Sequence, residues 1–147
     1  MELTGAERSG ECADLEAVTR WLDDGLAPSG ASGRAFDKRA GVHGFDLTFC
    51  APKSVSLMRG LGDDVTGKAV AYAHTHAITE AMRYLAEHSG YTRVHNPRTK
   101  QKDLVRLPAI VSAAFQHETS RAGDPHLHTH VLVPNRQARA DLSLIHI

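Results

Sequence analysis

Apolar and polar positions alternate along this chain with two periods, and each change of period marks an element. In residues 14–26, Leu15, Val18, Leu22 and Leu26 recur at helical spacing with Trp21 alongside, until Ala-Pro-Ser-Gly stops the pattern. A loop rich in Gly, Ser and Ala follows over 28–41. Phe45, Leu47 and Phe49 then alternate with Asp46, Thr48 and Cys50, which predicts a strand over 44–50. Its polar face carries a carboxylate, a hydroxyl and a thiol. Asp46 lies between two large apolar residues, which predicts burial, and a buried carboxylate needs a partner. Proline is tolerated in a first helical turn, so a short helix is predicted over 53–61, with Gly62-Asp63-Asp64 as its break. The longest helical pattern covers 65–88: Val70, Ala73, Ala77, Ala81 and Leu85 form a stripe that Ile78 and Met82 widen. Its many alanines favour helix but offer a thin packing face. His74 and His76 point about 200° apart on a helix and cannot chelate together. Both, with His88, are predicted to be surface histidines.

Residues 91–95 read as a short strand, 96–103 as a basic turn or hairpin tip, and 104–115 as a returning strand system interrupted by Pro108. Two apolar runs in 109–135 flank a turn-rich centre at 119–125, and His117, His126, His128 and His130 sit beside that turn. The spacing of two places His126, His128 and His130 on one face of an extended strand. If the run before the turn is the neighbouring antiparallel strand, His117 returns beside them. The order helix, strand, helix, helix, then antiparallel strands predicts an α+β fold with one sheet and helices packed on one face.

The 147 residues suffice for one domain with a modest core, and 41% hydrophobic with 5% aromatic content predicts thin packing. Formal net charge is zero with histidines neutral, so the totals carry no nucleic-acid signal. The distribution differs: residues 91–141 hold eight Lys and Arg against four Asp and Glu, with most of the excess at 93–106. Cys12 and Cys50 have no metal or redox spacing, which fits a reducing compartment. There is no leader pattern and no long apolar run, so a soluble, cytoplasmic protein without membrane association is expected.

His128 and His130 supply two nitrogens from one strand, and His117 a third from the strand before. Three neutral imidazoles leave positions open on a divalent ion, the pattern of a catalytic metal. A surface histidine-rich strand and a metal-free histidine triad remain alternatives at this point. Ligating imidazoles usually donate their other N–H to a carboxylate or carbonyl, and Asp46 is the best-placed carboxylate. Glu118, adjacent to His117, faces the other way along a strand. Asp124-Pro125 reads as a turn device.

Two motifs carry a resemblance. GFDLTFCAPKSVS at 44–56 resembles the G-x-D-L-T-F-S-A-P-K-S-V-S signature of the TrwC/TraI-type (MobF) conjugative relaxases. FQHETSR at 115–121, followed by DPHLHTH at 124–130, resembles their three-histidine motif. The resemblance implies a HUH endonuclease domain, an antiparallel sheet related to the RRM-like palm and flanked by helices. It implies nicking and rejoining of one strand at a transfer origin, with a tyrosine attacking the scissile phosphate and becoming linked to the DNA 5′ end. His117, His128 and His130 would be the metal ligands. Asp46 would orient a ligand or help deprotonate the tyrosine, and His126 falls at a variable position. Lys53 and Arg121 would contact DNA phosphate or brace the sheet. The implied cofactor is a divalent ion, Mg²⁺ or Mn²⁺, with Zn²⁺ or Ni²⁺ also compatible. The implied partners are single-stranded origin DNA, relaxosome proteins and type IV secretion components.

The chain departs from the family pattern at both ends. The family's nucleophilic tyrosines lie upstream of the first helix, and Tyr72, Tyr84 and Tyr91 match none of them. An N-terminally truncated relaxase domain over 1–141 that does not nick DNA by itself is therefore expected, with 142–147 a non-native tail. The family serine is Cys50 here. Two rivals exist. HLHTHVL at 126–132 nearly fits the histidine-triad nucleotide hydrolase motif, which Thr129 breaks. A non-catalytic single-stranded DNA-binding remnant is the other.

Overall fold

The computed structural model describes residues 14–27, 41–138 and 144–146. The expected loop over 28–41, apart from Gly41, lies outside them, as does Cys12. In chain order the elements are α1 (Leu15–Thr19), a π-helical turn (Arg20–Asp24), β1 (Gly44–Cys50), α2 (Lys53–Leu61), α3 (Asp64–Ser89), β2 (Tyr91–His95), β3 (Lys102–Arg106), β4 (Ala113–Thr119), β5 (Pro125–Pro134), β6 (Arg136–Ala138) and β7 (Leu144–His146). The fold is mixed α and antiparallel β, as the pattern predicts, but the strands form three ladders instead of one sheet: β1-β5-β4, β2-β3 and β6-β7. The reason lies at 107–112, where no strand forms. Pro108 has no N–H to give a ladder. The Leu107 N–H goes to the Gly90 carbonyl, and Val111 bonds to the Gln137 side chain in place of a strand.

The chain divides into two compact units. The first comprises 1–45, 86–113 and 132–147. Its N-terminal helix is capped by Asp14, whose carboxylate accepts from the Glu16 N–H at 2.9 Å. The π turn ends on Gly25 at φ 70°, a left-handed conformation that glycine adopts without steric cost. The wider turn inserts a residue into the helical register and so moves the apolar face. Trp21 becomes the core residue and donates its Nε1–H to the Arg136 carbonyl at 3.0 Å. Leu15 and Leu26, members of the predicted stripe, are exposed. β2 and β3 form an antiparallel hairpin pairing Tyr91 with Arg106 and His95 with Lys102, and every residue of β3 is exposed.

The second unit comprises 46–85 and 114–131. α2 has its predicted bounds, and α3 runs from the Asp63 cap, whose Oδ1 accepts from the Thr66 N–H at 2.7 Å. The half-buried face of α3 runs through Val70, His74, Ile78, Met82 and Leu85, whereas Ala73 and Ala77 are exposed. His74 is therefore half-buried and not a fully exposed surface histidine: it lies in the middle of the packing stripe. On β5 the alternation is sharp. Leu127, Thr129 and Val131 are buried, and His126, His128 and His130 are half-buried on the opposite face. The buried face meets the helices, through Ser56 of α2 and His74 of α3.

Candidate metal centre

Strand β5 presents the histidines, and its two neighbours complete the site. The Ala51 N–H bonds to the Leu127 carbonyl at 2.9 Å, and the Asn135 N–H to the His43 carbonyl at 2.9 Å. These two bonds fix β1 antiparallel to β5 and set Thr48 opposite His130. β4 joins β5 through a tight turn in which the Ser120 N–H bonds to the Asp124 carbonyl at 2.9 Å, with Gly123 at φ 85°. A connection this short requires antiparallel pairing, so His117 comes back beside the β5 histidines.

Three rings gather there. His117 stacks on His128 with centroids 5.1 Å apart and planes 19° apart. His130 stands edge-on to both, 5.6 Å from His117 and 5.3 Å from His128. Three imidazoles on one tetrahedral ion, bonded at about 2.1 Å, hold their centroids about 5 Å apart. The spacing fits. The orientation is looser: among the described residues no three metal-binding side chains converge on one point at coordination distance.

The tautomers of two rings are set by their neighbours. His130 Nδ1 lies 2.9 and 3.1 Å from the Asp46 carboxylate oxygens and 3.3 Å from Thr48 Oγ1. His128 Nδ1 lies 2.9 Å from the His126 carbonyl. Neither acceptor, carboxylate or carbonyl, can donate, so Nδ1 carries a proton, and in the neutral ring Nε2 then keeps its lone pair. This donor set suits a divalent ion. Asp46 is paired as expected but not buried, its side chain being 48% exposed. The polar face of β1 opens toward the histidines and solvent, so flanking Phe45 and Leu47 do not enclose it.

The rings line an open cavity of about 430 Å³ together with Thr119, Ser120, Arg121 and His126. Arg121 is exposed on its rim. His126 stacks on His128 at 4.6 Å. Lys53 is turned to bracing: it ion-pairs with Asp124 and donates to the Pro125 carbonyl at 2.9 Å. Lys53, together with the Ser120 hydroxyl, holds the Asp124 carboxyl down at about 2. Glu118 faces α2, where Arg59 binds it.

Sequence reasoning missed His74. Its Nε2 lies 2.9 Å from the hydroxyl of buried Thr129, the residue between His128 and His130. Burial, and secondarily repulsion from His128, pushes its imidazole below the ordinary value. The signal was present: His74 is four residues from both Val70 and Ile78, within the apolar stripe.

With this geometry in view, similarity to known proteins becomes interpretable. The TrwC relaxase family profile matches residues 2–144. The multifunctional conjugation protein TraI of Escherichia coli is 42% identical over 135 residues, which are 89% of this chain and 7% of that protein. The chain thus spans a small part of that relative's length. The conjugative relaxase TrwC, in a copper-bound structure with oriT DNA, superposes with a TM-score of 0.74 at 29% identity, over 97% of this chain and 48% of that one. TrwC with a 27-mer comprising the recognition hairpin and cleavage site gives 0.73 at 28% identity, over 97% and 50%.

Proposed function

Because this chain belongs to the TrwC relaxase family, we propose that it supplies the metal-binding part of a relaxase that nicks and rejoins one DNA strand at a plasmid transfer origin. The observation that carries this reading is the gathering of His117, His128 and His130, with the Nδ1 atoms of His128 and His130 already engaged. The three Nε2 atoms would hold a divalent ion, which supplies charge stabilisation at the scissile phosphate. Mg²⁺ or Mn²⁺ suits the phosphate chemistry, and three imidazoles also accept Zn²⁺ or Ni²⁺.

The residues have distinct tasks. Asp46 holds the His130 ring in the tautomer that ligates. Arg121, on the cavity rim, contacts a phosphate. Lys53 keeps the β4–β5 turn closed through Asp124 and so holds His117 against β5. In the transfer itself, a tyrosine oxygen bonds to phosphorus as the P–O3′ bond breaks, leaving a 5′-phosphotyrosine and a 3′-OH that later reverses the step. Tyr72 and Tyr84 are exposed on α3, and neither lines the cavity. Tyr91 opens β2, and it matches no tyrosine of the family motif. On this reading the nucleophile is a tyrosine other than Tyr72, Tyr84 and Tyr91, and the partners are single-stranded origin DNA, relaxosome proteins and the secretion machinery. The family match leaves the histidine-triad hydrolase reading without support.

Calorimetric titration with Mn²⁺ tests the centre. One site is expected, lost in His117→Ala, and equal binding by both proteins would refute the ligand set. A supercoiled origin plasmid incubated with the chain and Mn²⁺ should stay closed. Nicking would show that the nucleophile is among the residues present.

A further inference from the structure

The two strands that carry the histidines are each held from behind, at the residue next to a ring. Glu118 follows His117 in β4 and points to the opposite face. There Arg59 of α2 donates to its Oε1 twice, from Nε at 3.0 Å and from Nη2 at 2.5 Å. Arg59 runs against buried Gly67 of α3, where an added Cβ would stand 3.1 Å from Nη1. The missing side chain at Gly67 thus leaves room for this guanidinium. On β5, Thr129 lies between His128 and His130, and His74 of α3 meets its hydroxyl at 2.9 Å. Successive side chains of a strand leave on opposite faces. Pinning Glu118 therefore aims His117, and pinning Thr129 aims His128 and His130 together.

We propose that Arg59 and His74 are positioning residues for the three-histidine centre, acting through Glu118 and Thr129 without touching the metal. This rests on the metal-binding reading above. In effect each helix supplies one peg, and each peg enters the strand one residue from a ligand. Outer contacts that orient ligands change metal affinity by about 10–100-fold when removed. A loss of that size is expected here, because either strand can twist about its axis once its peg is gone.

The test is Mn²⁺ calorimetry on the full chain, with Co²⁺ absorption as a report on ligand geometry and thermal melting of the metal-free proteins as a check on folding. His117→Ala serves as the ligand control. Arg59→Met and His74→Ala are expected to weaken Mn²⁺ binding about 10–100-fold and to shift the Co²⁺ spectrum. The exchanged pair Arg59→Glu with Glu118→Arg should recover affinity, as should His74→Gln, which keeps a nitrogen for the Thr129 hydroxyl. If Arg59→Met does not fold, Glu118→Leu, which removes the carboxylate that Arg59 holds, takes its place. Wild-type affinity and spectrum in the peg variants, with binding lost in His117→Ala, would overturn the positioning role and leave the centre standing. Failure of both rescue variants would overturn it equally. Binding in His117→Ala equal to that of the unaltered chain would remove the centre itself.

Discussion

Asp46 and His130, 84 residues apart in sequence, meet with Oδ2 2.9 Å from Nδ1. The pair is half-exposed, so its worth to folding is small, under about 1 kcal/mol. In the proposed centre its task is orientation: the carboxylate accepts from Nδ1–H and so favours the tautomer that keeps Nε2 free for an ion. Asp46→Ala is expected to leave the melting temperature nearly unchanged and to weaken Mn²⁺ binding about 10–100-fold. Asp46→Asn, which retains an accepting oxygen without the charge, should fall between. Calorimetry on the three proteins checks the order, and equal affinities would contradict it.

Ser56 ties α2 to β5 at Leu127, on the strand's buried face. Ser56 is 1% exposed, and its hydroxyl accepts the Leu127 N–H at 3.0 Å and donates to the Pro52 carbonyl at 3.2 Å. Ser56→Ala strands a buried backbone donor and should cost about 1–3 kcal/mol. Leu127→Ala empties a fully buried site beside it and should cost about 2–5 kcal/mol. Urea unfolding followed by circular dichroism measures both. The hydrogen bond goes to the Leu127 main chain, which alanine retains, so Leu127→Ala leaves it in place.

The local elements were legible and the long-range ones were not. Period two at His126, His128 and His130 is a property of one strand, and α2 follows from a proline and a glycine at its ends. By contrast, His74 reads from the sequence as a surface histidine, whereas its position in the stripe with Val70 and Ile78 decides its place. Asp46 was expected to be buried because its neighbours are apolar, but which face of β1 is covered is settled by β5, far along the chain. The break between β3 and β4 was visible at Pro108. Its consequence, a separate ladder, depends on Gln137 taking the place of a strand partner for Val111.

The turn between β4 and β5 should weaken in acid. Lys53, then Ser120, lowers the Asp124 carboxyl from 3.8 to about 2. A carboxyl whose folded value lies below its unfolded value stabilises the fold above the unfolded value, and the contribution is lost as pH falls through the folded one. The stabilisation should be complete above about pH 4 and gone below about pH 2. Asp124→Asn should remove this slope from the acid limb of a stability profile and leave the rest of the curve in place. Identical acid limbs would show that the pair contributes nothing to folding.

Gln137 offers the opposite sign. Its side chain is 0% exposed and does the work of a missing strand: Oε1 accepts the Val111 N–H at 2.7 Å, while Nε2 donates to the carbonyls of Val111 at 3.0 Å and Pro134 at 2.8 Å. Gln137→Glu is nearly isosteric and keeps the acceptor, but when ionised it turns carboxylate oxygens toward two carbonyls. Burial and those carbonyls should raise its folded pKa above the unfolded value of about 4.3. A group raised on folding favours the fold below its unfolded value and loses that favour as pH rises. Gln137→Glu should therefore come closest to the parent in stability near pH 4 and lose stability steadily toward pH 8, whereas Gln137→Leu should show one loss at both. Chemical denaturation across that range separates the two variants, and a flat profile for Gln137→Glu would mean that the segment around Val111 has moved aside to admit water.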